Sequence, residues 1–193
     1  MNHFYKQIQG WTTFESLYRK IVKDSPTNSH FVEVGSYKGQ SAAFMAVEII
    51  NSQKNIRLDC VDMRETEKVE STQYYQKQEN LVATFLQNTW PVLDVIRPIH
   101  LSSVEASKLY KDESLDFVFI DAAHDYDNVK LDLESWFPKI KQSGVIAGHD
   151  YGIYSGFTGV NTAVKSFLAL KISQLLNGLS NIAFGLKNES FVY

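Results

Sequence analysis

Cysteine is nearly absent from this sequence, since Cys60 is the only one among its 193 residues. One cysteine cannot form an intramolecular disulfide. Because Cys60 lies in an apolar run that predicts a strand, we interpret it as a small buried side chain in a reducing compartment. Repeats, low-complexity tracts and domain-breaking linkers are missing too. With 44% hydrophobic and 21% charged residues, the composition predicts a single globular domain over residues 1–193.

Long apolar runs and an excess of basic residues are also missing. No run approaches the roughly 18 apolar residues of a membrane-spanning helix, and residues 1–11 lack the apolar core of a signal peptide. The net charge of -3 produces no basic field that would attract nucleic acid or an anionic membrane. These absences predict a cytoplasmic protein that binds neither nucleic acid nor membrane, and they leave open whether it forms a homo-oligomer.

The Gly-x-Gly-x-x-Gly motif of dinucleotide-binding folds is missing, and so is a phosphate-binding loop. The sequence has instead a predicted strand at His30–Val34, a turn containing Gly35 and Gly39, and a predicted helix over 42–51. Such a unit places free backbone N–H groups at a helix N-terminus, directed out of the sheet edge. Gly35 permits the sharp turn, and Gly39 lets the helix or a ligand come close.

A second strand, predicted over 55–61, ends in Asp62 and Met63. An acidic residue at the tip of the strand beside the glycine turn is placed to bind a ribose diol through both carboxylate oxygens. We favour this interpretation over a solvated strand end. Residues 64–80 are polar, carry mixed charges and show no strand pattern, so they predict a flap.

The N-terminal residues 1–29 predict a helical lead-in, because apolar side chains recur at helical spacing over 4–23. Thr12 or Thr13 is available as its N-cap. Trp11 is either a lid residue over a pocket or a residue that packs the helix onto the sheet edge.

A third strand over 94–100 contains Pro98, which suits an edge strand. Ser102 and Ser103 follow it and could contact an adenine or cap the next helix, predicted over 104–110. The C-terminal part predicts a Gly- and Tyr-rich loop over 151–159, a helix over 160–171, and short strands near 181–184 and 190–193.

The stretch 114–151 organises the rest of the chain. A short β-prone run, 117–120, predicts a strand buried on both faces. A helix is predicted to follow, to end at Ser143 and Gly144, and to lead into a strand at 145–147. Parallel strands joined by a helix place their carboxyl ends on the same edge of the sheet, where open α/β folds bind ligands. Four ionisable residues should therefore converge there: Asp121, His124, His149 and Asp150.

The motifs VEVGSYKGQS, CVDM, FVFIDAAHDY and GVIAGHDY, in this order, resemble class I S-adenosylmethionine-dependent methyltransferases. The likeness is strongest to a small bacterial subgroup with IDAxH and GHDY motifs, similar to macrolide-sugar O-methyltransferases and cephalosporin-modifying enzymes. The resemblance implies a Rossmann-like three-layer α/β sandwich. Its sheet would have seven mostly parallel strands, with an antiparallel C-terminal strand.

The resemblance also implies roles for individual residues. Asp62 would bind the ribose of S-adenosylmethionine, Met63 would lie on the adenine face and Ser103 near the adenine edge. The residues that would line the amino acid end of the cofactor are Glu33, Gly35, Ser36, Tyr37, Gly39 and Ser41, with Asp121 nearby.

Metal-dependent relatives carry three oxygen ligands at the ends of the fourth and fifth strands. The matching residues are Asp121, His149 and Asp150, so one carboxylate is replaced by an imidazole. The acid that serves some relatives as base would fall at Ala123 and is absent. Two carboxylates would suit Mg²⁺, whereas a histidine ligand favours Mn, Fe or Zn. The presence of a metal stays open.

A neutral imidazole suits the deprotonation of a hydroxyl during methyl transfer, because its unperturbed pKa lies near 6.5. We predict His124 as the base, with Asp125 or Asp150 as its orienting partner and His149 as the second catalytic candidate. The acceptor is predicted to be a small molecule with a hydroxyl, such as a sugar or another secondary metabolite. Aromatic residues suited to stack such a ring surround the predicted mouth: Trp11, Tyr74, Tyr75, Tyr151, Tyr154 and Phe157.

Three other functions are considered. A nicotinamide-dependent oxidoreductase is disfavoured by the missing glycine motif. A metal-dependent oxygenase or hydrolase could use the two aspartates and two histidines. A non-catalytic S-adenosylmethionine-binding module would keep the glycine turn and dispense with the base.

Overall fold

The computed structural model describes residues 1–63, 80–152, 156–176, 185–187 and 189–192. The helices are α1 (Glu15–Asp24), α2 (Gln40–Ser52), α3 (Leu81–Thr89), α4 (Ser103–Ser107), α5 (Tyr126–Trp136) and α6 (Thr158–Leu176). The strands are β1 (His30–Val34), β2 (Arg57–Val61), β3 (Ile96–Ile99), β4 (Leu115–Ile120), β5 (Ile140–Tyr151), β6 (Gly185–Lys187) and β7 (Glu189–Val192). Among these residues, no helix combines the length and the apolar character that crossing a membrane requires.

The strands form one sheet in the order β3-β2-β1-β4-β5-β7-β6. The five strands from β3 to β5 are parallel, whereas β7 pairs antiparallel with β5 and with β6. The order reverses between β1 and β4, so their carboxyl ends diverge there and open a crevice. The molecule thus has the predicted Rossmann-like α/β fold with a parallel sheet, and Pro98 lies in the edge strand β3 as predicted.

Helices cover both faces of the sheet because neighbouring residues of its buried strands point to opposite sides. Phe31 and Phe117 pack with α1, α2 and α3 on one face. Val32 and Val118 pack with α4, α5 and α6 on the other. The middle of β1 and of β4 is therefore buried, and the polar residues that follow the carboxyl ends of both strands are accessible to a ligand.

Two predicted boundaries are wrong. The N-terminal helix consists of a 3₁₀ turn at Tyr5–Gln7 and the separate helix α1, whose N-cap is Phe14 without a side-chain capping bond. Ser143 and Gly144 do not precede the fifth strand but lie inside it, because β5 begins at Ile140 and pairs with β4 through a register shift.

Several predictions concern residues outside the described ranges. They are the flap over 64–79 with Tyr74 and Tyr75, the loop residue Tyr154, and the short strand near 181–184.

Candidate active site

The glycine turn after β1 is shaped by three residues with left-handed backbone. Gly35, Tyr37 and Gly39 have φ angles of 93°, 43° and 90°. A Cβ on Gly35 would lie 1.9 Å from the backbone oxygen of Asp121, and one on Gly39 would lie 2.6 Å from Thr89 Cγ2. Both glycines are therefore needed for packing within the protein. The side on which a Gly35 Cβ would lie is occupied by the backbone after β4, and the contact of Gly35 with the amino acid end of a cofactor stays a prediction.

Asp62 joins the end of β2 to the glycine turn. Its carboxylate oxygen Oδ2 accepts a 2.7 Å hydrogen bond from the backbone N–H of Tyr37. An ionised carboxylate offers about four acceptor positions, so this bond is compatible with a diol on the same group. Met63, the next residue, is 44% exposed beside it.

Glu33 lies beneath the turn and is 1% exposed. Its two carboxylate oxygens accept hydrogen bonds from the hydroxyls of Tyr18, at 2.7 Å, and Ser41, at 3.0 Å. Burial raises the pKa of Glu33 to about 7, although these hydroxyl bonds oppose the shift. Ser36 is also buried. Glu33, Ser36 and Ser41 thus support the turn from inside, and a direct contact of theirs with a cofactor stays a prediction.

Ser103 is engaged by α5. Its hydroxyl oxygen accepts a 2.9 Å hydrogen bond from Trp136 Nε1. Asp132, on the same helix, has its pKa raised to about 6 by burial, and a hydrogen bond with Ser103 opposes that rise. The Ser103 hydroxyl therefore already has a partner within the protein. Its predicted contact with an adenine edge stays a prediction.

The four ionisable residues predicted to converge do so at the carboxyl ends of β4 and β5. His124 Nε2 lies 2.8 Å from Asp150 Oδ2, and His149 Nδ1 lies 3.2 Å from Asp150 Oδ1. Asp121 Oδ1 is 3.9 Å from His149 Nδ1. Asp150 is thus the centre of the group, with one histidine on each oxygen. Its left-handed φ of 60° turns its side chain out of the regular strand alternation.

The charges in this cluster are set by burial and by mutual contact. Burial opposes the ionisation of Asp150, but hydrogen bonds from His124 and His149 outweigh it and hold its pKa below the usual range. The hydrogen bond to Asp150 raises the pKa of His124, against the opposing effect of burial. Burial raises the pKa of Asp121 to about 6. The pKa of Asp150 is therefore lower than that of Asp121, and Asp150 is the more completely ionised of the two at neutral pH.

An ionised Asp150 can only accept hydrogen bonds, so each histidine nitrogen that faces it carries a hydrogen. In a neutral His124, a hydrogen on Nε2 would face Asp150 and the lone pair would lie on Nδ1. This is the arrangement of a base oriented by a carboxylate. Asp125, the other predicted partner, instead caps α5, where its carboxylate accepts from the backbone N–H of Asn128 at 3.0 Å.

A family model described as "Methyltransferase domain" matches residues 32–151, which is more than half of the chain. The chain belongs to this methyltransferase family. The matched segment runs from β1 to the end of β5, so it contains the glycine turn, Asp62 and the whole ionisable cluster.

Solved structures agree with this membership at the level of the fold. NovP, an O-methyltransferase, has a TM-score of 0.62 and 14% identity, with 93% of this chain and 78% of NovP covered. A protein from Corynebacterium glutamicum has a TM-score of 0.60 and 11% identity, with 97% and 82% covered. Fibrillarin from Aeropyrum pernix, in complex with natively bound S-adenosyl-L-methionine, has a TM-score of 0.56 and 11% identity, with 92% and 73% covered. No curated protein sequence matches the chain.

The residues that could hold a metal in this methyltransferase differ by one from the predicted set. Within the described ranges, ligand atoms of Asp121, His124 and Asp150 lie within 4.8 Å of one another. His149, which the sequence suggested, is turned toward Asp150 and Thr13 instead. Two carboxylates and one imidazole suit a divalent ion. A metal on His124 Nε2 would need the position of the hydrogen donated to Asp150, so the two uses of His124 exclude each other.

Phe157 is an unexpected neighbour of His124. Its ring stacks on that of His124, with 4.3 Å between the centroids and an interplanar angle of 21°. The start of α6 lies close to His124, since a Cβ added to Gly159 would be only 2.4 Å from the backbone oxygen of His124. A side chain at residue 159 would prevent this approach. The sequence placed Phe157 only in a general aromatic mouth. A glycine two residues after an aromatic residue is too common to indicate this packing.

Trp11 lies at the opposite side of the site. Its indole is 67% exposed, and its ring centroid is 6.0 Å from that of Tyr37, with an interplanar angle of 27°. An indole this exposed does not pack a helix onto the sheet. Of the two alternatives, the structure therefore favours a position beside the ligand crevice.

Proposed function

We propose that this protein transfers a methyl group from S-adenosylmethionine to a hydroxyl of a small-molecule acceptor, such as a sugar or another secondary metabolite. The observation that carries the proposal is the 2.8 Å contact between Asp150 and His124, at the same sheet edge as the glycine turn. Membership in a methyltransferase family supports the reaction class.

The surroundings of the glycine turn fit a nucleoside bearing an apolar sulfonium chain. Asp62 presents a carboxylate at the tip of β2, and Met63 and Trp11 expose apolar surface nearby. S-adenosylmethionine, when bound, supplies an electrophilic methyl group whose leaving group is neutral. The protein therefore has two tasks: to align the acceptor with that methyl group and to remove its proton.

His124 Nδ1 is the atom that we expect to take the proton. Asp150 fixes the orientation of the ring through Nε2 and stabilises the imidazolium that forms. The ring of Phe157 stacks on one face of the imidazole and restricts its rotation. His124 remains 40% exposed, so a hydroxyl in the crevice can reach it.

A divalent ion held by Asp121, His124 and Asp150 would lower the pKa of an acceptor hydroxyl directly. An ion bound through His124 Nε2 would displace the hydrogen that faces Asp150 and would remove the carboxylate-oriented base. We propose the metal-free base as the primary mechanism, since His124 Nε2 and Asp150 Oδ2 are already in contact at 2.8 Å.

The cofactor assignment predicts that Asp62→Asn weakens binding of S-adenosylhomocysteine by about 1.5–3 kcal/mol, because charge-assisted hydrogen bonds to the ribose are lost. Asparagine keeps an oxygen that can accept from the Tyr37 N–H, so the turn itself is preserved. Titration calorimetry measures the change. The control is Asp127→Asn, which alters an exposed carboxylate on α5. Equal affinity of the wild type and Asp62→Asn would exclude the ribose contact.

The metal alternative predicts that Mn²⁺ raises the melting temperature by mass action and that Asp121→Asn abolishes the rise. Differential scanning fluorimetry measures it. His149→Gln distinguishes the two ligand sets, because the rise should persist if the ligands are Asp121, His124 and Asp150 and disappear if His149 is a ligand. A wild-type protein indifferent to Mg²⁺, Mn²⁺ and Zn²⁺ would exclude the metal.

A further inference from the structure

A cavity of about 300 Å³ opens between the end of β5 and the start of α6. Tyr151 and Gly152 line it on the side of the sheet, and Tyr151 directly follows Asp150 in the chain. Ligand pockets in proteins have volumes of roughly 300–1,000 Å³. The cavity is at the lower end of that range, so it fits a molecule about as large as a monosaccharide.

The wall that α6 gives to this cavity also packs on His124. Phe157, the residue before α6, stacks its ring on that of His124, with 4.3 Å between the centroids. Thr158, the next residue, lines the cavity. A molecule in the cavity therefore borders the segment that holds His124, on the acceptor side of the site.

The face of α6 that lines the cavity is polar. Its residues recur at intervals of three and four positions, which places them on one side of the helix. They are Thr158, Asn161, Thr162 and Lys165. The buried side of the same helix is apolar and packs in the core, through Val160, Ala163, Val164 and Phe167. Core packing thus accounts for one side of α6 and leaves the polar side available to a ligand.

Asn161 fixes the rim of the cavity. Its Oδ1 accepts a 2.9 Å hydrogen bond from the backbone N–H of Gly152, and its Nδ2 donates a 3.0 Å bond to the backbone oxygen of the same residue. The side-chain amide therefore ties α6 to the chain that leaves β5. A rim fixed in this way lowers the ordering cost of binding a ligand.

Lys165 brings a positive charge to this polar face. Among the residues that the structure describes, none pairs a carboxylate with it. An ammonium group has three donors and no acceptor, and it bonds most strongly to an anionic oxygen. The hydroxyls of Thr158 and Thr162 lie on the same face and add polar partners for such a group.

The spacing along α6 separates the charge from the predicted base. Lys165 is seven residues after Thr158, which corresponds to roughly 10 Å along the helix axis. Helical side chains lean toward the N-terminus, so the ammonium extends back into the cavity. An anionic group on Lys165 therefore belongs to the end of a ligand that is remote from His124.

We propose that the methyl acceptor is a monosaccharide-sized hydroxyl compound with a phosphate or carboxylate group, and that it binds in this cavity with the anionic group on Lys165. The assignment of this ligand as the acceptor rests on the proposed function, whereas the binding itself does not. A neutral acceptor would leave the ammonium of Lys165 without an anionic partner.

The experiment measures the binding of three hexose probes by ¹H–¹⁵N correlation spectra, which report both affinity and location. Glucose 6-phosphate and glucuronate carry the two kinds of anionic group, and methyl glucoside is neutral. Lys165→Gln removes the charge, and Lys165→Arg keeps it. Lys130→Gln is the matched control, since it removes one positive charge from α5 at a residue outside the cavity lining.

In the wild type, Lys165→Arg and Lys130→Gln, at least one anionic hexose should bind about 10- to 100-fold more tightly than methyl glucoside, the range expected for a charge-assisted hydrogen bond. It should shift the amide signals of Thr158 and Thr162. In Lys165→Gln, this preference should disappear. The hexose that binds more tightly identifies the anionic group as phosphate or carboxylate.

Equal affinities for all three hexoses in the wild type would overturn the proposal, and so would a preference that Lys165→Gln leaves unchanged. Inorganic phosphate is the fourth probe. If it bound as tightly as glucose 6-phosphate, the proposal would also fail, because the cavity would hold an ion and not an acceptor.

Binding of S-adenosylhomocysteine separates this proposal from the proposed function. Calorimetry should give equal affinities for the wild type and Lys165→Gln. If the wild type bound the anionic hexose as expected but not the nucleoside, the cavity would stand as a binding site and the methyltransferase mechanism would be wrong. Binding of the nucleoside without any preference for the anionic hexoses would leave the proposed function intact and overturn the acceptor class.

Discussion

His124→Ala is expected to lower the rate of methyl transfer by about 10²–10⁴-fold, the usual contribution of a general base. The residue is the only side chain of the cluster that combines a carboxylate-oriented nitrogen with a second nitrogen available to a substrate proton. Turnover with an identified acceptor measures the loss. Affinity for S-adenosylhomocysteine should change little, because the base meets the acceptor and not the nucleoside.

The pH dependence follows from the direction of the pKa shift. Asp150 raises the pKa of His124, and the base acts only when it is neutral. Activity should therefore be lost as the pH falls through that raised pKa, with a midpoint above the ordinary imidazole value of about 6.5. Asp150→Asn should move the midpoint to lower pH, since the charge that favours the imidazolium is removed.

His149→Ala provides the contrast to the expected effect of His124→Ala. His149→Ala should reduce turnover less than His124→Ala, because it removes a support of Asp150 and leaves the base in place. If His124→Ala kept near-normal turnover while His149→Ala was inactive, the catalytic role would belong to His149.

The convergence of the ionisable residues could be predicted because it depends on topology. Parallel neighbouring strands end on one edge of the sheet, and the pairing of Ile120 with Gly148 places Asp121 opposite His149. The polar residues after each apolar run were therefore sufficient to locate the site. The same rule placed Asp62, at the end of the second predicted strand, beside the glycine turn.

Which histidine contacts which carboxylate could not be predicted, because it depends on irregular backbone. Asp150 has a left-handed φ of 60°, and the pairing of β5 with β7 shifts register between His149 and Tyr151. A regular strand would send the side chains of His149 and Asp150 to opposite faces. Here both contribute to one cluster, and the three residues whose ligand atoms lie close together include His124 and not His149.

Contacts between distant segments were the other part that the sequence did not reveal. Thr13 and His149 are 136 positions apart, and a threonine just before a helix predicts a cap. The resemblance to methyltransferases assigned Gly35 to the cofactor, and that contact stays a prediction. The close approach of Gly35 to the backbone of Asp121 becomes visible only when β1 and β4 lie side by side.

Gly35→Ala is expected to destabilise the protein by about 3–4 kcal/mol, the sum of about 1–2 kcal/mol for the left-handed backbone and about 2 kcal/mol for overpacking. A Cβ at this position would lie 1.9 Å from the Asp121 oxygen and 2.8 Å from the Ala122 Cα, and backbone atoms cannot move aside as a flexible side chain can. Urea denaturation measures the free energy of unfolding.

Gly156→Ala is the matched control for Gly35→Ala. Gly156 also has a left-handed φ, of 72°, but a Cβ there would have nothing within 4 Å. The control should lose only the backbone part, about 1–2 kcal/mol. The difference between the two losses of stability measures the cost of crowding between the glycine turn and the turn after β4. Because that approach brings Asp62 and the His124–Asp150 pair to one crevice, Gly35→Ala should weaken S-adenosylhomocysteine binding while Gly156→Ala leaves it unchanged. Equal losses of stability in both variants would show that the two turns can separate without cost, and the proposed arrangement of cofactor and base would then lack its structural support.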